Sequence, residues 1–150
     1  MSATTLRTQP RLSIEHLFER YHTGWEAKNP GFIASTHSED TLFWLHDGSE
    51  PIKGREALRR YCIATFEAYD FSQEMGRRLF GADHWVFEWT MVLPLTDKEG
   101  APFTARVEML DVVTVNKAGE VTRKDVFMNG DQSRAAFARA GIAIEGGIRA

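Results

Sequence analysis

The acid Asp111 is the residue of this 150-residue sequence that most clearly suggests a chemical role. It lies in the stretch Ala105–Val115, whose β-branched residues predict a strand in which alternate side chains share a face. Arg106 and Glu108 fall on the opposite face, whereas the face of Asp111 is otherwise apolar and carries Ala105, Val107, Met109, Val113 and Val115. A buried carboxylate must find partners or be held neutral, and such acids in clefts are often functional. The alternatives are a structural acid bonded to backbone or arginine groups, and a bulge that turns Asp111 outward.

Tyr21 is a second candidate, because the helical period places it on an apolar stripe. Ser13 can cap a helix that begins at Ile14, and the stripe consists of Ile14, Leu17, Phe18, Tyr21 and Trp25. A tyrosine on such a stripe can present its hydroxyl to an apolar pocket. The alternative is a core tyrosine whose hydroxyl bonds to the backbone.

The elements that would position these residues are three helices followed by a series of strands. A short second helix begins near Pro30, a strand covers Thr41–His46, and a third helix follows Gly54. The predicted strands after that helix are Ser72–Phe80, His84–Leu93, Ala105–Val115 and Val121–Met128. Asp131 can cap a last helix that runs through Ala140 and stops at Gly141. This order predicts an α+β fold in which helices cover one face of an antiparallel sheet.

Length and composition narrow the class of protein. A chain of 150 residues suits a single domain spanning 1–150, with residues 1–12 expected to form a flexible tail. A formal net charge of -3 gives no electrostatic footprint for nucleic acid, and no apolar run is long enough to span a membrane. The single cysteine, Cys62, fits a reducing, cytoplasmic location and is expected to be a packed thiol. The histidines show no metal spacing and no cofactor motif is present, so neither a metal nor a cofactor is expected.

Three short segments together resemble the nuclear transport factor 2-like superfamily, including its SnoaL-like and ketosteroid isomerase-like members. They are Arg20-Tyr21, then Gly48-Ser49-Glu50-Pro51 with Gly54, and then Leu110-Asp111-Val112 with Asn116, Ala118-Gly119 and Val121. The resemblance covers about Ser13 to Asn129. It implies a cone-shaped, curved antiparallel sheet wrapped around helices, as in cystatin-like folds, with a central pocket.

The resemblance also implies roles for the two candidates. In ketosteroid isomerases a tyrosine late in the first helix and an aspartic acid on this strand form an oxyanion hole, and these positions match Tyr21 and Asp111. That enzyme is the standard example of a carboxylic acid kept neutral by an apolar site. Two neutral donors in a dry pocket would stabilise an enolate-like oxygen.

The general base of the isomerases has no counterpart at the matching position, which is Leu45. The neighbouring His46 could replace it, because histidine ionises near neutral pH, and Asp47 could assist. Alternation puts His46 on the same face as Leu42 and Trp44. The alternatives are a strand-end histidine bonded to the loop, and a turn-forming role for Asp47. The charged triad of limonene epoxide hydrolases is absent, since its positions match Trp89, Met91 and Val126.

Lys124 lies on the last strand, and the register of the superfamily turns it toward the pocket and Asp125 away. A pocket lysine could bind a phenolate, polarise a carbonyl or pair with Asp111. Pairing would leave Asp111 ionised and weaken the oxyanion-hole hypothesis. A one-residue bulge would exchange Lys124 and Asp125, and both could instead be solvated at the sheet edge.

These observations favour a cofactor-independent acid–base enzyme, either an isomerase, a lyase or a dehydratase, acting on a small apolar substrate that is cyclic or aromatic. The expected pocket walls are Trp44, Trp89, Met91, Met109, Val126 and Met128. The alternatives are a non-catalytic ligand-binding or dimerisation module and a SnoaL-type aldol cyclase. The resemblance implies a homodimer formed through the sheet, and the outward residues Val86, Val92, Leu110 and Val112 form an apolar set that agrees with it.

Overall fold

The computed structural model describes residues 10–143 of the chain. Its elements, in order, are α1 (Ile14–Glu26), α2 (Pro30–Ser35), β1 (His37–Trp44), β2 (Ile52–Lys53), α3 (Arg55–Ala68), β3 (Ser72–Phe80), β4 (His84–Thr96), β5 (Pro102–Val115), β6 (Val121–Met128) and α4 (Gly130–Ala140). No helix in this part of the chain is long and apolar enough to cross a membrane.

The six strands form one curved, unclosed sheet in the order β2-β1-β6-β5-β4-β3. All neighbours run antiparallel except β1 and β6, which are parallel. The parallel pair departs from the purely antiparallel sheet expected from the sequence, because the chain crosses from β1 through α3 and the β3–β5 meander before β6 returns beside it. The predicted α+β architecture is confirmed.

The concave face of the sheet carries the core. Along β5, every second residue from Ala105 to Val115 is buried, as the alternation predicted, and Asp111 is among them with no exposed surface. The same alternation buries a row on β4 that consists of Trp85, Phe87, Trp89, Met91 and Leu93. Because β4 and β5 pair antiparallel, with Phe87 opposite Asp111, the two apolar rows lie side by side and one carboxylate lies between them.

The helix α1 packs on this face because its apolar stripe matches the aromatic row of β4. Ser13 caps it by accepting a hydrogen bond from the His16 amide at 3.3 Å. The Phe18 ring meets Trp85 and Phe87 edge-on, with centroids 5.7 and 5.4 Å away. This packing fixes the depth at which the next turn of α1 places Tyr21.

Two local details differ from the sequence predictions. The α4 cap is Asn129, which accepts a hydrogen bond from the Gln132 amide, and Asp131 lies in the first turn instead. The helix does end at Gly141, whose φ of 72° closes the last turn in the left-handed region.

The expected N-terminal tail is partly anchored. Residues 1–9 lie outside the described part of the chain. Arg11, which falls within the tail predicted from the sequence, donates a 2.8 Å hydrogen bond to the Asn116 carbonyl.

Candidate active site

Asp111 and Lys124 form a buried ion pair on the concave face of the sheet. Lys124 Nζ lies 3.1 Å from Asp111 Oδ2, and the side chains are 2% and 0% exposed. The pairing register explains this contact, because Asp111 on β5 is opposite Val126 on β6, and Lys124 is the next residue of β6 on the same face. Asp111 is therefore paired with Lys124, which the sequence had offered as the alternative to a neutral Asp111 in an oxyanion hole.

The Trp89 indole supplies the second contact to Asp111. Its Nε1–H donates to Asp111 Oδ1 at 2.9 Å. Apart from Lys124, whose Nζ lies 3.1 Å away in the ion pair, no described residue gives Oδ2 a hydrogen bond. Oδ2 consequently keeps a lone pair for another proton donor.

The ammonium of Lys124 is surrounded by aromatic rings. Its Nζ lies 4.4 Å from the ring centre of Trp25, 5.0 Å from that of Tyr21 and 5.5 Å from that of Phe43. Burial acts to lower the pKa of Lys124, but the attraction of Asp111 and of Tyr21 outweighs it, and the pKa is raised above its ordinary value. The side chain is therefore a charged donor at neutral pH, with three N–H groups to share.

Tyr21 belongs to a chain of hydrogen bonds whose proton positions follow from its far end. The Thr41 hydroxyl donates to the Val121 carbonyl at 3.1 Å, so its oxygen accepts from His37 Nδ1 at 2.8 Å. The other ring nitrogen, His37 Nε2, is then an acceptor, and the Tyr21 hydroxyl donates to it at 3.0 Å. Tyr21 therefore presents oxygen lone pairs, and not its proton, to Lys124.

Burial keeps His37 neutral, as this assignment requires. Burial first, and then the charges of Lys124 and Arg55, lower the pKa of His37 to about 3. Burial also raises the pKa of Tyr21, against the opposing effect of Lys124, so its hydroxyl is protonated at neutral pH. The hydrogen bonds from Thr41 through His37 to Tyr21 therefore hold the tyrosine hydroxyl in place beside the Lys124 ammonium.

The predicted oxyanion hole is therefore not assembled as expected. It required Asp111 and Tyr21 to act as two neutral donors. In the structure Asp111 is paired with a charged lysine and Tyr21 directs its proton to His37. Lys124 is the residue that can donate N–H groups to a ligand oxygen in this site.

A small cavity opens beside the ion pair. Its volume is about 60 Å³, enough for several water molecules but below the roughly 300–1,000 Å³ of typical ligand sites. Asp111 and Lys124 line it together with apolar and aromatic side chains, among them the predicted wall residues Trp89, Met91, Met109, Val126 and Met128. One charged pair thus sits in an otherwise largely apolar enclosure.

Two of the predicted site residues, His46 and Trp44, lie on the other face of the sheet. His46 stacks between the rings of Trp44 and Phe127, with centroids 4.2 and 4.4 Å away, and its Nε2 lies 2.7 Å from Asp125 Oδ1. The inward residues of this segment are Thr41, Phe43 and Leu45. His46 and Trp44 do share a face, as predicted, but that face points away from the cavity. The pairing of β1 with β6 also shifts register between His37 and Leu42.

Asp47 also lies apart from the cavity. Its Oδ1 accepts hydrogen bonds from the amide of Ser49 at 2.9 Å and from the Ser49 hydroxyl. This is the turn-forming geometry that the sequence offered as the alternative to a catalytic role. The structure therefore brings Tyr21, Asp111 and Lys124 together and leaves His46 and Asp47 outside.

A surface groove of about 550 Å³ adjoins the cavity. The cavity and the groove share four lining residues: Leu45, Tyr61, Thr65 and Tyr69. Three of them lie on or at the end of α3, which buries only Leu58 and Cys62 fully, whereas α1 buries six residues. This helix therefore separates the cavity from the groove, and an outward shift of α3 would join the two spaces.

Sequence reasoning missed His37 and Gln73. His37 begins a polar run, His37-Ser38-Glu39-Asp40, that was assigned to no strand, although it forms the first half of β1. Gln73 is the polar residue among the cavity-lining positions of β3. Its signal was available, since alternation from Ser72 places Gln73 and Met75 on one face.

Neither the cysteine nor a cluster of metal-binding side chains forms a second reactive site among residues 10–143. Burial raises the pKa of Cys62 to about 12, with Lys124 acting in the opposite direction, so the thiol is packed and protonated. Among residues 10–143, no three histidine, cysteine or acidic side chains converge as a metal site would require.

Comparison with known proteins identifies relatives at the level of family and fold. A model of the SnoaL-like domain matches residues 18–124. No curated protein matches the chain.

Several solved structures are similar in fold. A protein from Shewanella denitrificans assigned as a SnoaL-like polyketide cyclase has a TM-score of 0.72 at 9% identity, covering 83% of this chain and 96% of that one. A ketosteroid isomerase-like protein from Catenulispora acidiphila, in complex with trimethylamine, has a TM-score of 0.69 at 16% identity, covering 88% and 96%. The epoxide hydrolase/cyclase-like enzyme SalBIII, of pyran ring formation in salinomycin, has a TM-score of 0.65 at 18% identity, covering 79% and 92%. At these identities the likeness establishes the fold.

Proposed function

The chain belongs to the SnoaL-like domain family, and we propose that it is a cofactor-independent acid–base enzyme that enolises a small, apolar, cyclic or aromatic carbonyl compound. The observation that carries the proposal is the Lys124–Asp111 pair, because it places a charged donor and a carboxylate with an open lone pair side by side in one apolar cavity. An enolisation needs these two groups, one to take a proton from carbon and one to hold the oxygen that becomes negative.

Asp111 is the base in this mechanism. Its Oδ2 takes the proton from the carbon next to the substrate carbonyl, and the electron pair of that C–H bond becomes the C=C bond of the enolate. The carbonyl π electrons move to oxygen. Trp89 Nε1–H, at 2.9 Å, holds Oδ1 and so orients Oδ2 toward the substrate.

Lys124 receives the negative oxygen. Its raised pKa keeps it protonated, which suits it to electrostatic stabilisation and not to nucleophilic attack on the carbonyl. Tyr21 and Asp111 each engage one side of the ammonium, which leaves N–H capacity for the substrate oxygen. In the low dielectric of the cavity such a contact is worth more than it would be in water.

The fate of the enolate decides the reaction class. Return of the proton from Asp111 to a different carbon gives an isomerisation. Expulsion of a β-hydroxyl, which takes the proton held by Asp111 and leaves as water, gives a dehydration. Attack of the enolate carbon on a second carbonyl, whose oxygen then takes that proton, gives an aldol cyclisation, the alternative favoured by the polyketide cyclase and cyclase-like names of two fold neighbours. All three begin with the same proton transfer.

A non-catalytic ligand-binding role is the second candidate. It is favoured by the small volume of the cavity, about 60 Å³, and by the way the two charges already satisfy each other. In that case a ligand would bind without losing a proton from carbon.

Isotope exchange distinguishes the two functions. A panel of small cyclic ketones and β-diketones is incubated with the protein in D₂O, and loss of the signals of the protons next to the carbonyl is followed by NMR. We expect catalysed exchange in at least one of them with wild type. Asp111→Asn removes the base and should reduce the exchange rate by a factor of 100 or more.

The matched control is His46→Ala. His46 is a histidine on the opposite face of the sheet, so its removal should leave the exchange rate within about twofold of wild type. Binding without exchange across the panel, detected through the fluorescence of Trp25 and Trp89 in the cavity wall, would support the ligand-binding role instead.

A further inference from the structure

Gln73 is a polar residue in the apolar wall of the cavity, on the edge strand β3. Its neighbours Ser72 and Glu74 are exposed, whereas Gln73 faces inward and lines the same cavity as Asp111 and Lys124. Opposite it on β4 is Met91, another cavity residue, which is 6% exposed. A methionine or leucine at position 73 would pack here without a polar group to satisfy.

The amide oxygen of Gln73 has no partner in the described chain. Oε1 is buried and accepts no hydrogen bond from any of residues 10–143. Buried acceptors in native proteins are nearly always satisfied, and an unsatisfied one in a cavity wall is stabilised when a ligand brings a donor to it. Oε1 therefore matches an O–H or N–H group of a ligand.

From these observations we infer that Gln73 is a second polar anchor, which selects substrates carrying a hydrogen-bond donor at the end remote from the reacting carbonyl. This inference rests on the proposed function, since it takes the Lys124–Asp111 pair as the reacting end.

The sheet register sets the spacing of the two anchors. Gln73 pairs with Met91, and Met91 pairs with Val107, which is four residues from Asp111 along β5. Four residues along a strand correspond to about 14 Å, and the two strand spacings from β3 to β5 add about 10 Å across the sheet, so the two backbone positions are about 17 Å apart. Both side chains reach into one cavity, which shortens that span to the scale of a fused two-ring skeleton. The substrate class is therefore a flat, hydroxylated cyclic ketone or phenol with its two oxygens at opposite ends.

The space for such a ligand comes from the groove beside α3. The cavity alone, at about 60 Å³, is too small for two rings, and the shared residues Leu45, Thr65 and Tyr69 separate it from the larger groove. Displacement of α3 leaves Gln73 and Asp111 in place, because both lie on strands of the sheet. The two anchors therefore keep their spacing while the volume grows.

Equilibrium binding tests the inference without turnover. Three fluorescent probes are compared: a naphthalenediol with hydroxyls at its two distant ends, the dimethyl ether of that diol, and the corresponding naphthol with one hydroxyl. Wild type should bind the diol about tenfold more tightly than the naphthol or the ether, because the dimethyl ether retains an acceptor oxygen at each end and has no hydroxyl left to donate to Gln73. Equal affinity for the diol and the ether would overturn the inference.

Gln73→Met is the decisive variant, since it keeps length and loses the acceptor. It should bind all three probes with similar affinity. Ser72→Ala is the matched control, because it removes a polar group from the exposed side of the same strand and should retain the preference for the diol. Thr65→Val removes a polar group from the α3 wall of the cavity and tests that wall separately. A preference lost in Thr65→Val and kept in Gln73→Met would assign the donor contact to α3 and overturn the inference.

Thermal unfolding gives a second readout that does not depend on the probes. If Oε1 is unsatisfied in the free protein, Gln73→Met should unfold at the same or a higher temperature than wild type. A clear loss of stability would mean that Gln73 is a structural hydrogen-bonding residue.

The failure of this inference can be distinguished from the failure of the proposed function. If Asp111→Asn had no effect on isotope exchange, the proposed enolisation would be refuted, whereas the preference of the protein for the diol probe would be unaffected.

Discussion

Tyr21 directs its hydroxyl proton away from the Lys124–Asp111 pair, toward His37 Nε2 at 3.0 Å. The Thr41 hydroxyl, by donating to the Val121 carbonyl, fixes the tautomer of His37 and hence the direction of this bond. Tyr21 can therefore stabilise the Lys124 ammonium as an acceptor, and the positive charge beside Asp111 is built into the fold. A buried polar network in which each member has a partner of the right kind holds its geometry in a low dielectric.

Removal of the Tyr21 hydroxyl should destabilise the protein. Tyr21→Phe leaves His37 Nε2 without a donor in a site where both residues are almost fully buried. The expected loss is about 1–3 kcal/mol in the free energy of unfolding, measured by urea denaturation. Ser35→Ala, which removes an exposed hydroxyl that donates to the Phe32 carbonyl, serves as the comparison. A Tyr21→Phe variant as stable as wild type would contradict the assigned chain of hydrogen bonds.

Breaking the ion pair should cost more than replacing it. Lys124→Met leaves the Asp111 carboxylate buried without its countercharge, and the expected loss is about 3–5 kcal/mol in the free energy of unfolding. The double variant Lys124→Met/Asp111→Leu removes both charges and should recover most of that loss. If the double variant were as unstable as the single one, the pair would have to be treated as solvated and not as a desolvated ion pair.

Acid should unfold the protein in a pH range that reports on two buried histidines. Burial first, and then the charge of Lys124, lower the pKa of both His22 and His37 to about 3. Because these pKa values are lower in the folded than in the unfolded protein, the unfolded state binds more protons between pH 6.5 and pH 3. Stability is fully present above pH 6.5 and falls by about 1.4 kcal/mol per pH unit for each histidine below it.

The matched pair of variants for this pH dependence is His22→Phe and His16→Gln. His22 packs between the Phe18 and Phe87 rings, so phenylalanine should be accommodated and the slope between pH 6 and pH 4 should drop by about half. His16 is exposed, and its replacement should leave the slope unchanged. Urea denaturation at each pH gives the slope, and an unchanged slope in His22→Phe would show that His22 is not the titrating group.

The fold and half of the candidate site could be predicted because they depend on local patterns. Alternation along β5 and the helical stripe on α1 correctly placed Asp111 and Tyr21 on inward faces. The β4–β5 register also follows from the turn at Asp97–Gly100, around which Trp89 pairs with Met109. This register brings the Trp89 indole within reach of Asp111.

The remainder depends on tertiary contacts that no local pattern carries. The side of β1 that faces inward follows from its parallel pairing with β6 and from the irregularity after His37, so His46 was placed on the wrong face. The charge state of Asp111 depends on whether Lys124 or Asp125 faces inward, which the alternation of β6 leaves open to a one-residue bulge. The sequence therefore allowed the Lys124–Asp111 pair as one alternative, but it could not decide between that pair and a neutral Asp111.

The outer face of the sheet should form a homodimer interface. Leu110 and Phe127 lie beside each other there in the β5–β6 register, and they are 37% and 42% exposed. Phe127 also stacks on His46, so the apolar surface continues across β6 to the end of β1. A contiguous patch of this kind on a small domain is typical of a surface that is covered by a partner.

Leu110→Glu tests this interface directly. It places a charge at the centre of the patch and should convert a dimer to the 17.0 kDa monomer in sedimentation equilibrium at micromolar concentration. Leu12→Glu is the control, because Leu12 is 50% exposed and precedes α1, away from the β5–β6 surface. Wild type that sediments as a monomer, or a dimer that persists in Leu110→Glu and dissociates in Leu12→Glu, would refute the sheet-mediated dimer. Since Leu110 is remote from the cavity side of β5, the monomeric variant should retain the isotope-exchange activity of wild type, which separates assembly from chemistry.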